Sequence, residues 1–314
     1  MDGAASDGYE AEFLHDLVQG LSAPQKSIPA RWLYDAAGSE LFDQITELSE
    51  YYPTRTEIGI LTAHAAEMTA AFGEDAVLVE YGAGSALKIR LLLDAGSNIS
   101  VYAPVDISTV HLEAAAERLS ADYPHLSIRP ITADFMDEGL GAALDGLPER
   151  RTGFFPGSTV GNLSDTQIET LLTAARTDLG EDGVFLIGLD QPKSPDVLVP
   201  AYDDAAGVTA AFNLNLLVRA NRELGADFDV DAFRHRAIWN AQESRIEMHL
   251  ECLRDQTVSV GGQSFRFSKG ERIHTENSRK LAVDVFAALA AKSGWTVSQT
   301  WTDERAYFAL VLLR

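Results

Sequence analysis

Cysteine is nearly absent from this 314-residue chain, which holds a single one, Cys252. One cysteine cannot form an internal disulfide, and its place in a segment of alternating apolar and polar residues predicts a buried bystander. Long apolar runs are also missing, since none approaches the roughly 20 residues that a membrane-spanning helix needs. The first residues lack the basic and apolar regions of a secretion signal. We therefore expect a cytoplasmic protein that does not insert into a membrane.

Basic residues are scarce relative to acidic ones. The chain has 25 lysines and arginines against 47 aspartates and glutamates, which gives a formal net charge of −22. Such a charge repels the phosphates of nucleic acids and the anionic surface of membranes, so we expect neither as a partner. We also expect a monomer. The seven histidines, among them His235, His249 and His274, show no spacing typical of metal ligands, and no metal is predicted.

Hydrophobic residues make up 46% of the chain, enough to bury sizeable cores in two domains. In the first part, short apolar segments alternate with helical patterns, as in a doubly wound, mostly parallel sheet. The predicted strands there are 77–81, 100–105, 126–132, 151–155 and 183–189. Helical spacing covers 10–21 and 56–72.

The pattern changes after Pro192. Helical spacing is predicted at 202–221, 230–239 and 278–293, and strands at 245–253, 256–260, 264–267 and 307–312. Gly261-Gly262 predicts a two-residue hairpin turn. We therefore predict an α/β fold with a Rossmann-like domain at 56–191. A second α+β domain would combine 9–55 with 192–314, after a flexible N-terminus at 1–8.

The most informative segment is the first strand with the turn that follows it, Glu80-x-Gly82-x-Gly84. Glycine lets the backbone come close to a nucleotide-like ligand at the end of a parallel strand. A dinucleotide-binding motif has a third glycine, or an alanine, at the position occupied here by Leu87. The carboxylate before the first glycine instead favours S-adenosylmethionine, whose sulfonium and amine are cationic. An ordinary glycine turn between strand and helix is the alternative.

Two later strand ends carry residues suited to the same ligand. Asp106 follows the glycines by about twenty residues, where a carboxylate accepts hydrogen bonds from ribose hydroxyls. Asp134 and Phe135 end the next apolar segment, and this pair suits an adenine amine and ring. Taken alone, Asp106 fits a helix cap and Phe135 a core position. Three strand-end motifs in chain order favour a cofactor site.

Longer motifs make the chain similar to a known family. They are WLYDAAGS at 32–39, FDQIT at 42–46, EYYPTRTE at 50–57, GSTVGN at 157–162, AYDDAAGVTAAFN at 201–213 and TENS at 275–278. The chain resembles the histidine Nα-methyltransferases of ergothioneine biosynthesis from about Lys26 to its end. The resemblance implies a class I methyltransferase domain and a second domain, with substrate between them. It also implies conversion of L-histidine to its trimethylated betaine, hercynine, with S-adenosylmethionine as methyl donor and S-adenosylhomocysteine as product.

The resemblance assigns roles by motif position. It implies that Asn162 and Tyr202 hold the substrate carboxylate, while Tyr51, Glu276 and Ser278 anchor the imidazole. Other implied contacts are Tyr34 and Phe42 beside the methylated amine, Met248 in the side-chain pocket, and Gly82, Lys88, Asp106, Asp134 and Phe135 against the cofactor. No dedicated catalytic acid or base is implied, because the site orients an unprotonated amine for in-line attack.

Two departures from the family pattern bear on cofactor affinity. Ala86 follows Ser85 where hydroxyl-bearing residues are usual, and Tyr81 replaces a more usual leucine or phenylalanine. The alternatives left open are the same fold and cofactor with another amine substrate, and a non-catalytic sensor of cofactor or histidine. A nicotinamide-dependent dehydrogenase is disfavoured by Leu87 and Glu80.

Overall fold

A computed structural model describes residues 3–84, 86–107, 109–136, 140–148 and 150–314. Ser85 and the first two residues of the predicted flexible N-terminus lie outside the described residues. The α-helices are α1 (Gly3–Ser22), α2 (Ala36–Glu47), α3 (Tyr52–Phe72), α4 (Leu87–Ala95), α5 (Thr109–Asp122), α6 (Asp165–Leu179), α7 (Pro195–Tyr202), α8 (Val208–Leu224) and α9 (Val283–Lys292). No helix among the described residues combines the length and the apolar character needed to cross a bilayer.

The strands follow in chain order, and short 3-10 turns lie between them. The strands are β1 (Ala76–Tyr81), β2 (Ile99–Asp106), β3 (Ser127–Ile128), β4 (Ile131–Thr132), β5 (Thr152–Phe155), β6 (Val184–Asp190), β7 (Phe233–Asn240), β8 (Arg245–Cys252), β9 (Gln256–Val260), β10 (Gln263–Phe267), β11 (Arg272–Arg279), β12 (Val297–Thr302) and β13 (Phe308–Leu313). The 3-10 turns are Ala30–Leu33, Gly141–Leu144, Thr159–Asn162 and Val230–Ala232.

The chain divides into two compact units. The large-sheet unit comprises Pro53–Pro192 and Lys280–Arg314, and the small-sheet unit comprises the residues up to Tyr52 with Lys193–Arg279. The sequence placed all of 192–314 in the second domain. Residues 280–314 instead belong to the large-sheet unit, because the wholly apolar β13 adds to β6 as a buried antiparallel strand.

The large-sheet unit is built on one twisted sheet in the order β12-β13-β6-β5-β1-β2-β3, with β4 also paired to β2. The pairs among β1 to β6 are parallel, whereas β13 and β12 are antiparallel additions. β1, β5, β6 and β13 are buried throughout, as expected for strands covered on both faces. The predicted α/β fold with a parallel central sheet is therefore confirmed.

Apolar side chains cover both faces of this sheet. Successive strand residues point to opposite faces, so Val77 and Val79 pack towards α6 and α9 while Leu78 packs towards α3 and α4. The carboxyl ends of the parallel strands share one edge, where Gly82, Asp106 and Asp190 lie at or just after their strands. A ligand site is expected at such an edge.

The small-sheet unit contains the antiparallel sheet β11-β8-β7 and the hairpin β9-β10. The hairpin turn has positive φ at both Gly261 (57°) and Gly262 (73°), as a two-residue hairpin turn requires, and this prediction is confirmed. Cys252 is buried and free, as predicted. Backbone hydrogen bonds also join His274 to the segment before α2, from Ile28 N to His274 O (2.9 Å) and from His274 N to Lys26 O (2.8 Å).

The helix predicted at 230–239 is wrong. Only Val230–Ala232 is helical, as a 3-10 turn, and β7 follows. Phe233 and His235 are buried while Arg234 and Arg236 are exposed, a period of two that is typical of a strand with one covered face.

Two further strands and one interruption were not predicted. The helix predicted at 278–293 begins only at Val283, because β11 extends through Arg279, and β12 was not predicted either. A bulge between His274 and Glu276 breaks the alternation that would have revealed β11. The strand predicted at 126–132 is two short strands, because Pro130 has no N–H to continue the ladder.

Candidate active site

The glycine turn after β1 opens the crevice between β1 and β2. Gly82 has φ +74°, which favours glycine, and the amides of Gly82 and Ala83 both donate to Val105 O, at 3.0 and 2.9 Å. A Cβ on Gly82 would lie 3.5 Å from Phe135 Cε1, and one on Gly84 would meet no heavy atom within 4 Å. The turn therefore leaves open space beside Gly84 and sets the Phe135 ring close to Gly82.

Glu80 lies on β1 just before this turn and is only 2% exposed. Its carboxylate accepts a hydrogen bond from the Tyr102 hydroxyl on β2. Burial raises the pKa of Glu80 to about 7, although that hydrogen bond and the charge of Lys88 pull it down. The carboxyl is thus poised to change charge near neutral pH.

The other predicted cofactor residues occupy neighbouring strand ends. Asp106 ends β2 half-buried, and its carbonyl accepts from Ala133 N at 3.1 Å, which joins the two strand ends. Asp134 Oδ1 accepts from Met136 N at 2.8 Å. The Phe135 ring packs edge-on against Phe155, with centroids 5.2 Å apart. Gly82, Asp106, Asp134 and Phe135 thus all lie at or just past the ends of adjacent strands.

Lys88, on the first turn of α4, is held by a residue that the sequence did not single out. Its Nζ lies 2.6 Å from Glu57 Oε2, and Glu57 is fully buried on α3. Both Glu57 oxygens also accept from Gly157 N at 3.0 Å. A Cβ on Gly188 would come within 2.6 Å of Glu57 Oε1, so the glycine leaves room for this carboxylate. Glu57 therefore ties the predicted cofactor lysine to the loop after β5.

That loop carries Asn162, which is half-buried at the end of a 3-10 turn. The loop is bent by two successive residues with positive φ, Gly157 at 76° and Ser158 at 57°. Such a conformation is uncommon for serine, and it is fixed here because Ser158 Oγ accepts from Asp190 N at 2.9 Å. Asp190 is itself paired with Lys280, Oδ2 to Nζ 2.8 Å, with both side chains buried.

The small-sheet unit gathers five aromatic rings. Tyr34 lies 5.6 Å from Phe42 and 5.4 Å from Phe212, while Phe42 lies 6.1 Å from Tyr51, and Tyr51 lies 6.0 Å from Tyr202 (centroid distances). All four contacts are edge-to-face. The sequence predicted four of these rings, and the structure adds Phe212, which faces them because α8 packs beside α2.

The predicted imidazole anchors lie on β11, just past its bulge. Glu276 pairs with Met248, and Ser278 pairs with Ile246, in the register of β11 against β8. Cross-strand partners share a face, so the bulge aims Glu276 and Ser278 to the same side as Met248. The Tyr202 hydroxyl and Ser278 Oγ are hydrogen-bonded at 2.7 Å. The structure therefore brings Tyr202, Ser278, Glu276 and Met248 into one unit with the rings.

Tyr34 keeps 38% of its surface exposed, which makes it the most open ring of the five. Loss of water around its hydroxyl raises the pKa of Tyr34 well above the usual value, and the negative charge of Glu276 adds to this. Because the Tyr34 ring is partly exposed, the loss of water raises its pKa less than full burial would, but both causes raise the pKa. The phenol is neutral at neutral pH and keeps its proton to donate.

The chain fits a family model described as "Histidine-specific methyltransferase, SAM-dependent" over residues 13–314. The chain belongs to this family. A relative from Mycolicibacterium smegmatis named "Histidine N-alpha-methyltransferase" is 43% identical over 315 residues, 98% of this chain and 96% of the relative. One of the same name from Mycobacterium tuberculosis is 42% identical over 304 residues, 95% and 93% of the two chains. "Ergothioneine biosynthesis protein 1" of Neurospora crassa is 30% identical over 266 residues, and the aligned region covers 78% of this chain but only 30% of that protein.

Family membership makes S-adenosylmethionine the cofactor to be tested against the strand-end residues of the large-sheet unit. The open space beside Gly84 gives a ligand room to approach the backbone, and Asp106 presents a half-buried carboxylate at the next strand end. The Phe135 ring stands beside the turn and offers a stacking face. These residues fit S-adenosylmethionine, and the predicted Rossmann-like methyltransferase fold with a second α+β domain is confirmed.

Proposed function

We propose that this chain transfers methyl groups from S-adenosylmethionine to the α-amine of L-histidine, three times in succession, to give hercynine in ergothioneine biosynthesis. The observation that carries this is the family match over residues 13–314, together with two relatives named for histidine Nα-methylation that align over nearly their full lengths. The Neurospora crassa relative adds the link to ergothioneine.

Two sets of polar groups would bind the substrate. Asn162 and Tyr202 would hold the carboxylate, since an amide and a phenol donate hydrogen bonds without adding a full charge. Tyr51, Glu276 and Ser278 would hold the imidazole. The 2.7 Å contact between the Tyr202 and Ser278 hydroxyls supports a compact substrate whose two polar ends meet neighbouring groups. Asn162 belongs to the large-sheet unit, and its part in the site rests on its motif.

Glu276 would set the selectivity for histidine. A carboxylate accepts an imidazole N–H in a charge-assisted hydrogen bond, and Ser278 would meet the other ring nitrogen. A substrate with an apolar side chain in place of the imidazole would offer the Glu276 carboxylate no N–H. A carboxylate that is enclosed by bound substrate without a partner is destabilised by several kcal/mol. Met248, buried opposite Glu276, would line the apolar part of the pocket.

The reacting amine would be oriented by rings. S-adenosylmethionine, when bound, supplies an electrophilic methyl group on a cationic sulfur. Tyr34 and Phe42 would flank the amine and position it without a dedicated acid or base. An aromatic face stabilises an ammonium by about 0.5–2 kcal/mol, and this continues to act when the nitrogen becomes quaternary. Glu80, Gly82, Gly84, Lys88, Asp106, Asp134 and Phe135 would hold the cofactor.

The test is mass spectrometry of the products after the purified protein is incubated with S-adenosylmethionine and each common amino acid separately. We expect gains of one, two and three methyl groups on histidine alone. Glu276→Leu should abolish this selectivity, whereas Glu117→Leu, on an exposed part of α5, should not. Methylation of a different amine, or binding of both ligands without turnover, would overturn the proposal.

Three expectations from the sequence stay predictions alongside this function. They are a cytoplasmic location, a monomeric state, and no nucleic-acid partner. A methyl transfer that needs no metal is predicted likewise.

A further inference from the structure

Three side chains able to bind a metal ion meet on the small sheet. Glu247 and His249 lie two residues apart on β8 and therefore point to the same face. His274 on β11 is the direct cross-strand partner of His249. One ligand atom from each of the three lies within 4.8 Å of the others. The register turns them to the face opposite Glu276 and Met248, so the cluster lies apart from the proposed substrate residues.

The distances suit ligands of a single ion. His249 Nε2 and Glu247 Oε2 are 3.2 Å apart. Two bonds of about 2.0–2.1 Å that meet near the tetrahedral angle separate their ligand atoms by about 3.3 Å. An ion bound to His249 Nε2 and Glu247 Oε2 would therefore replace the hydrogen bond between them with little movement of either side chain. The His249 and His274 rings are stacked, with centroids 4.8 Å apart and planes at 28°, so the His274 ring would turn to aim a nitrogen at the same ion.

Hydrogen bonds orient the His274 and Glu247 side chains. His274 Nε2 donates to Glu276 O at 3.1 Å, so Nδ1 is the ring nitrogen that remains for an ion. A ligating histidine commonly donates its other N–H to a carbonyl in this way. Glu247 Oε1 is held by Asn240 Nδ2 at 2.9 Å and by Arg245 Nε at 2.8 Å, and Oε2 is turned to His249.

The buried His249 imidazole has an unpaired nitrogen. Only 6% of the residue's surface is exposed, and its Nδ1 has no hydrogen-bond partner among the described residues. A bound ion or water would account for a buried polar atom that is unpaired in this way.

Nearby arginines oppose a cation but are already paired. Arg234, Arg236 and Arg272 all contact the Glu251 carboxylate, and Arg245 contacts Glu247. The repulsion between these arginines and a bound cation is therefore partly cancelled by the carboxylates that they contact. Two imidazoles and one carboxylate select zinc and related divalent ions over magnesium or calcium, which prefer oxygen ligands.

We propose that Glu247, His249 and His274 form a binding site for one divalent transition-metal ion of the zinc type, with a remaining position open to water. This site is separate from the proposed methyl-transfer residues and does not depend on the proposed function. The sequence showed no ligand spacing here, because β8 and β11 bring the residues together from 25 positions apart in the chain.

The test is titration of Co²⁺ into the full-length protein, with any affinity tag removed. The visible absorption of protein-bound cobalt and competition by Zn²⁺ report the site. We expect one ion per chain. His274→Gln and Glu247→Gln should each weaken binding by more than about tenfold, whereas His125→Gln, at an exposed histidine, should leave it unchanged.

Circular dichroism of each variant shows whether the chain is folded, and the two replaced ligands, His274 and Glu247, are half-buried rather than buried. Saturable binding of one ion that is lost in folded His274→Gln supports the site. The proposal is overturned if the wild-type protein binds no cobalt saturably. It is equally overturned if the folded His274 and Glu247 variants bind as tightly as the wild-type protein.

Discussion

Replacing Glu80 by glutamine should change the free energy of unfolding in a pH-dependent way. The difference between the variant and the wild type should favour the variant more in alkaline than in acidic solution. The ordinary pKa of this carboxyl is 4.5, and burial raises it to about 7 in the folded chain. Between these values the folded state holds a proton that the unfolded state has lost. Stability therefore falls as pH rises through this window, and the full cost is present above pH 7.

The size of the effect follows from the same two values. At about 1.4 kcal/mol per pH unit, the interval from 4.5 to about 7 corresponds to about 3 kcal/mol. Glu80→Gln removes this titration and keeps an oxygen for the Tyr102 hydroxyl. The free energy of unfolding of the variant minus that of the wild type should thus increase by about 3 kcal/mol between pH 4.5 and pH 8.

The assay is urea unfolding of both proteins at several pH values, followed by tryptophan fluorescence. Titrating groups that do not interact with Glu80 are common to both proteins and cancel in the difference. Glu117→Gln, at an exposed position on α5, is the matched control and should give a flat difference. A flat difference for Glu80→Gln as well, or one that falls with pH, would refute the assignment of a raised pKa to this buried carboxyl.

Three further outcomes are expected. Tyr81→Phe should stabilise the protein by about 1 kcal/mol in thermal or urea unfolding, because the buried Tyr81 hydroxyl has no hydrogen-bond partner among the described residues; a loss of stability would contradict this. Glu57→Gln should destabilise by about 3 kcal/mol, since it leaves Lys88 without its buried partner, and should weaken S-adenosylhomocysteine binding in calorimetric titration; unchanged affinity would exclude a positioning role. Phe42→Ala should slow the third methyl transfer more than the first in time-resolved mass spectrometry, and equal slowing of all three would count against the aromatic role.

The strand-end part of the site could be predicted because its signals are local. Gly82, Asp106 and Asp134 each follow an apolar strand within a few residues, and parallel strands bring their carboxyl ends to one edge. Glu57 could not be found this way, because it meets Lys88 from another helix and Gly157 from a loop 100 residues later. Glu57 ends the EYYPTRTE motif, but that motif does not show that its carboxylate is buried and paired with Lys88.

The substrate side depended on motif resemblance for a physical reason. Glu276 and Ser278 lie on a strand whose alternation is broken by the bulge after His274, so periodicity predicted a helix starting at 278 and no strand there. The Phe212 ring belongs to a helical pattern that reads as an ordinary apolar face, and only packing shows that it meets Tyr34 and Phe42. Side chains that come together from separate elements share no local sequence pattern, so periodicity alone does not predict their contact.

The chemistry of repeated methylation explains why rings rather than further carboxylates would surround the amine. Each transfer replaces one N–H by a methyl group, so a hydrogen-bond acceptor placed at the nitrogen would lose its partner before the last step. An aromatic face needs no N–H, and its attraction for the cation persists when the nitrogen carries three methyl groups. In the proposed site, Tyr34 and Phe42, with Phe212 packed against them, would therefore suit every stage of the reaction, while Glu276 would bind the unchanging imidazole. Separating the two tasks would keep the imidazole bound in the same way while the amine changes charge and size.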